Sequence, residues 1–109
     1  MTKQYSGGCH CGRLRFDARL DLSAGTYRCN CTYCRKMRVW IARAAENDFV
    51  YTVGGDSVAT YRVREDGFAT FHFCDHCGVR IGTAVSHPQY GEFFNVSIGA
   101  LEGVDEEEL

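Results

Sequence analysis

Polar and apolar residues alternate strictly over "RLRFDARL". Leu14, Phe16, Ala18 and Leu20 fall on one side, and Arg13, Arg15, Asp17 and Arg19 on the other. A period of two is the mark of a strand with one face buried and one wet. "TYRC", "VWIARA", "FVYTV", "VATYRV", "FATFHF", "VRIGTAV" and "EFFNVSIGAL" follow as further short strands, rich in β-branched and aromatic residues. "DLSAG" and "END" read as turns, Gly54-Gly55 breaks the chain, and "SHPQYG" is a loop. "REDG" joins "VATYRV" to "FATFHF" in a hairpin that delivers Phe73 to Cys74. Helical period is nearly absent; only "TYCRKM" has room for a turn or two. The pattern predicts a mainly β fold with about eight short strands.

Composition narrows the setting. The chain of 109 residues shows no repeat, linker or low-complexity block, so it reads as one domain over 1–109, with an acidic tail from about Val104 in "GVDEEEL". Hydrophobic residues make up 45%, enough for a modest core. A net charge of -2 and a single short basic run, Arg35, Lys36 and Arg38, argue against nucleic acid as a partner. No apolar run is long enough to span a membrane. "MTKQYSGG" carries no apolar signal segment, so a cytoplasmic location is expected.

Seven cysteines are many for a reducing compartment, and they cluster: Cys9 and Cys11 in "CHCG", Cys29, Cys31 and Cys34 in "CNCTYC", Cys74 and Cys77 in "CDHCG". Clustered cysteines in a reduced chain point to metal or catalysis rather than disulfides. An odd count and the C-x-C spacings argue the same way, since a disulfide across one residue strains its ring. A redox reading of Cys74 and Cys77 would need a helix after the motif, and strand-like "GVRIGTAV" follows instead. Both pairs end in Cys-Gly, at Gly12 and Gly78. A glycine there lets the backbone take positive φ and turn amides toward the sulfur. Two such half-sites make one closed four-thiolate tetrahedron, a structural zinc site clasping the start of the chain to its last third.

That leaves Cys29, Cys31 and Cys34 as a three-thiolate set. Its fourth position is either open to water or a substrate atom, the layout of catalytic zinc, or filled by His10, His72, His76 or His87 to give a second structural site. Three thiolates favour a soft incoming ligand such as a substrate thiolate. Arg35 and Lys36, directly after the triad, would attract an anionic substrate. The aromatics Tyr33, Trp40, Phe71, Phe73, Phe93 and Phe94 are candidates for a pocket lining, though most fall on strands beside apolar residues and are expected in the core.

In order, "GGCHCG", "CNCTYCRK", "FHFCDHCG" and "NVSIGAL" resemble the glutathione-dependent formaldehyde-activating enzyme family, also called the centromere protein V/GFA family. The likeness runs from about Gly7 to Gly103 and takes in all seven cysteines. The resemblance implies a small β-tent of antiparallel sheets, a structural zinc on Cys9, Cys11, Cys74 and Cys77, and a more labile zinc on Cys29, Cys31 and Cys34 as the catalytic group. It implies a carbon–sulfur lyase that reversibly adds a thiol, typically glutathione, to a small aldehyde such as formaldehyde. Family members commonly run past "GAL" to a further strand. This chain stops at "DEEEL", so part of the sheet or pocket wall is expected either to be missing or to be supplied by another subunit of a homo-oligomer. The competing reading is a zinc-stabilised protein- or nucleic-acid-binding module without catalysis.

Overall fold

The segments that alternate or are rich in β-branched residues pair into two antiparallel sheets in the computed structural model, which describes residues 1–64 and 67–105. Among the described residues there are ten strands: β1 Lys3–Gly8, β2 Arg15–Leu20, β3 Tyr27–Arg28, β4 Trp40–Ala45, β5 Phe49–Val53, β6 Val58–Tyr61, β7 Ala69–Cys74, β8 Arg80–His87, β9 Gly91–Ser97 and β10 Leu101–Glu102. One α-helix, α1, covers Thr32–Met37, the single segment whose sequence left room for one. The smaller sheet has the order β10-β1-β2-β5, the larger β3-β4-β9-β8-β7-β6. No helix of the described chain is long and apolar enough to cross a membrane.

The period-two segment does what its pattern demands. Leu14, Phe16, Ala18 and Leu20 are each at most 1% exposed, while Arg15, Asp17 and Arg19 face outward or lie part-buried. They pack between the sheets with Ala42, Ala44, Phe94 and Val96 from β4 and β9. A hydrogen bond of 2.7 Å between the Tyr51 hydroxyl on β5 and His72 Nδ1 on β7 ties the two sheets together. Burial raises the Tyr51 pKa and lowers that of His72, so both are held neutral.

Three differences from the sequence pattern have physical causes. "KQYSGG" is not among the strands that the pattern predicts, yet it forms β1, central in its sheet between β2 and β10. A Cβ on Gly7 would meet the Ala100 carbonyl oxygen at 2.2 Å and the Phe16 ring at 2.7 Å, so glycine stands there because backbone and ring approach it closely. "EFFNVSIGAL" is not one strand. β9 ends at Ser97, residues Ile98–Ala100 turn in a 3-10 helix, and the chain crosses to the other sheet as β10. "VWIARA" and "FVYTV" are neighbours in sequence, but the Glu46–Asp48 turn sends them to different sheets. The centre of the "REDG" turn and the end of the acidic tail, residues 65–66 and 106–109, lie outside the described residues; Val104 still packs against the core.

Candidate functional site

The β1–β2 loop and the β7–β8 loop meet at one end of the sheets and bring four sulfurs together. Cys9, Cys11, Cys74 and Cys77 lie within 4.8 Å of one another, with Cys9–Cys11 at 3.6 Å and Cys11–Cys74 at 3.7 Å between Sγ atoms. A tetrahedron with Zn–S bonds of about 2.3 Å has edges of about 3.8 Å, so these separations fit a four-thiolate ion site. Gly12 and Gly78 both take positive φ, 86° and 77°, as the Cys-Gly endings require. The turned backbone aims amides at sulfur: Leu14 N–H donates to Cys9 Sγ at 3.3 Å, and the His76 and Cys77 amides both donate to Cys74 Sγ at 3.4 Å.

These contacts divide the protons unevenly. The Val79 amide, foremost, holds the Cys77 thiol down at about 6. Burial opposes ionisation of Cys9, but the Leu14 amide and the neighbouring thiols keep it below its ordinary value. At Cys11 the Arg13 amide favours the thiolate, and burial together with the sulfurs of Cys9, Cys74 and Cys77 outweighs it, pushing the group up to about 11. Four sulfurs this close repel one another as thiolates, and a divalent cation among them would remove that repulsion. Cys74 is 1% exposed and belongs to the main core, so the cluster is continuous with the packing between the sheets.

Cys29, Cys31 and Cys34 form a second group, their sulfurs also within 4.8 Å of one another. It comes from one local segment between β3 and β4. Cys31 caps α1, its Sγ accepting the Cys34 amide at 3.3 Å. Arg38, with φ of 55°, ends the helix in the left-handed conformation, and Val39 N–H closes on the Cys34 carbonyl at 2.9 Å. Cys34 and Val39 are buried against Ile41 and Phe71. Ile41 follows Trp40 and precedes Ala42, a residue of the main core, so α1 covers the sheet face turned away from that core. Cys29 and Cys31 stay exposed while Cys34 is buried. The Cys34 amide, foremost, lowers the Cys31 thiol, and burial pushes the Cys34 thiol up.

Neither group includes a histidine or carboxylate among the described residues. His72 is engaged with Tyr51, and His87 Nδ1 accepts the Gln89 and Tyr90 amides at 3.0 and 3.3 Å. His10 and His76 are exposed on the clasp loops. Arg35 and Lys36 are exposed in the last turn of α1. Of the aromatic residues, Phe71 and Phe94 are buried, while Tyr33 and Phe73 border a hollow beside α1. The sequence reading did not single out Arg80. It is 8% exposed, lies over the Phe71 ring with its guanidinium carbon 5.1 Å from the centroid, and donates to Thr83 Oγ1 at 3.1 Å. Only the bulge between His72 and Phe73, which pairs Phe73 with Arg80, turns this side chain toward the triad's face, and a bulge leaves no mark in a hydrophobic pattern.

Comparisons with known proteins agree with this architecture. A family model described as "Glutathione-dependent formaldehyde-activating enzyme" matches residues 4–109. A Halomonas elongata protein named "Putative glutathione-dependent formaldehyde-activating enzyme" is 26% identical over 103 residues, 88% of this chain; the chain spans 64% of the length of that relative. A crystal structure of a Rhodobacter sphaeroides protein superposes with a TM-score of 0.80 at 27% identity, covering 94% of this chain and 93% of that one.

Proposed function

Because the chain belongs to the glutathione-dependent formaldehyde-activating enzyme family, we propose that it acts as a carbon–sulfur lyase, reversibly adding a thiol such as glutathione to a small aldehyde such as formaldehyde. In this reading Cys9, Cys11, Cys74 and Cys77 hold a structural zinc, and Cys29, Cys31 and Cys34 hold the catalytic one. The observation that carries it is the contrast between the two sulfur groups. One has four members drawn from two distant loops, with Cys9 and Cys74 buried in the core; the other has three from one local segment, two of them exposed. A scaffold alone has no use for an incomplete, exposed coordination set.

Zinc bound at the triad supplies Lewis acidity that favours the thiolate form of an incoming thiol at neutral pH. The chain's own part is positional. α1 fixes the three sulfurs through the Cys31 cap and the burial of Cys34. Arg35 and Lys36 offer cationic charge to the carboxylates of a thiol such as glutathione. In the addition a carbon–sulfur bond forms, the carbonyl double bond becomes single, and the thiol's proton ends on the oxygen. Tyr33, between Cys31 and Cys34 in sequence, is our candidate to pass that proton through its hydroxyl. Holding thiol and aldehyde side by side supplies the remaining advantage.

The test is adduct formation by zinc-loaded protein from glutathione and formaldehyde, followed by NMR exchange between free and adduct signals. The wild type is expected to speed exchange well above the uncatalysed rate, and Cys31→Ala to lose that gain. An unchanged rate for Cys31→Ala would reject the triad as the catalytic group.

A further inference from the structure

A hollow of about 490 Å³ lies beside the triad helix, lined by Tyr33, Met37, Tyr61, Phe73 and Gly78. Tyr33 and Met37 stand four residues apart on α1 and so share one face. Tyr33 stacks on Tyr61 at 5.5 Å and packs on Phe71 at 4.1 Å between centroids, giving one wall of continuous aromatic surface. Among the described residues no charged side chain lines the hollow. Met37 and Tyr61 are 45% and 48% exposed, so this apolar surface meets water when nothing covers it.

Resting on the aldehyde–thiol reading above, we infer that this slot receives the side arm of the aldehyde, and that the preferred aldehydes carry an aromatic or branched aliphatic arm. Formaldehyde has no arm and would leave the slot unfilled. Glutathione carries two carboxylates and an ammonium at neutral pH, and burying them against Tyr33, Met37, Tyr61 and Phe73 would cost their hydration without a compensating partner. The exposed cations Arg35 and Lys36 suit that molecule outside the slot. An aryl or branched alkyl arm gains burial and ring stacking in the slot. Tyr33 is the lining residue that lies within the triad segment, so an arm held in the slot leaves its aldehyde carbon on the triad's side.

The chain's two methionines provide a direct readout, since Met1 is 88% exposed at the terminus and Met37 lines the slot. Zinc-loaded protein carrying ¹³C-methyl methionine is titrated with 2-phenylethanol, an unreactive analogue of phenylacetaldehyde, and with methanol as the armless control. A saturable ring-current shift of the Met37 methyl with 2-phenylethanol alone is expected. Rate enhancement over the uncatalysed addition of glutathione should favour phenylacetaldehyde over formaldehyde by about tenfold or more. Met37→Glu, which places a charge in the slot, should collapse that preference. Adduct formation from formaldehyde with no Met37 shift overturns the inference and leaves the proposed function standing. A saturable Met37 shift with no adduct from any aldehyde overturns the proposed function, and with it the aldehyde as the slot's occupant.

Discussion

At the scale of single residues, the energetic weight sits where side chains have no room to move. Phe16 is 1% exposed, its ring 5.1 Å from that of Phe49 and close beneath Gly7. Phe16→Ala opens a cavity between the sheets and should cost about 3–5 kcal/mol, read from denaturant melts of the two proteins. Glu46 shows the opposite case, a surface group in an unfavourable place. Its hydrogen bond to Glu92, with that carboxylate's charge, raises Glu46 above the ordinary glutamate value. A carboxyl with a raised pKa holds its proton more tightly folded than unfolded. The pair therefore supports the fold at acid pH, and that contribution is lost as pH rises through the raised value. Glu46→Gln should melt higher than the parent at neutral pH, with the gain shrinking toward about pH 4. A gain of equal size at both pH values would show that repulsion between the two carboxylates is not its cause.

At the scale of elements, α1 is the instructive one. Six residues are too few for a helix to persist alone in water. It persists because Cys31 caps it, Arg38 ends it and Cys34 with Val39 anchors it on Ile41 and Phe71. The Cys31 sulfur thus has two duties, cap and proposed ligand, and substitutions can separate them. Cys31→Ser keeps an acceptor for the Cys34 amide, whereas Cys31→Ala removes it. Both should lose zinc from the triad, while the serine variant should be more stable by about 1 kcal/mol. Zinc content and the hydrogen-exchange protection of the Cys34 amide check the two halves separately; equal protection in both variants would remove the capping role.

At the scale of the whole molecule, the two sulfur groups differ in what they join. The four-cysteine group connects a loop of one sheet to a loop of the other, and residue 9 to residue 77, so an ion there would close a long loop across the core. The triad closes only its own segment. Fully loaded protein is expected to hold about two zinc ions per chain, and a mild chelator should strip the exposed triad first. Cys74→Ala should lower Tm steeply or leave the protein insoluble, because metal binding at the clasp is coupled to folding. Cys31→Ala should fold and keep about one zinc. Comparable unfolding of the two variants would make the triad structural and remove the main support for catalysis.

What could be read directly from the sequence was everything set by local spacing. The buried row Leu14, Phe16, Ala18 and Leu20 follows from a period of two, and the short helix over "TYCRKM" from the one place lacking it. The division of seven cysteines into four and three followed from the glycine after each pair, since Gly12 and Gly78 need positive φ wherever the rest of the chain lies. Which sheet each strand joins was not legible. β4 and β5 are divided by a three-residue turn, and nothing in "END" says that the next strand will pair with β2 instead of β4. β1 escaped notice because its glycines weaken a strand in isolation; only the Phe16 ring on the neighbouring strand and the Ala100 carbonyl, far along the chain, make Gly7 the residue that fits. The Tyr51–His72 link and the slot between α1, β6 and β7 are likewise products of distant segments meeting. Local patterns specify which face of an element seeks burial, whereas its partner depends on the joint packing of all faces, which exists only once the chain has closed on itself.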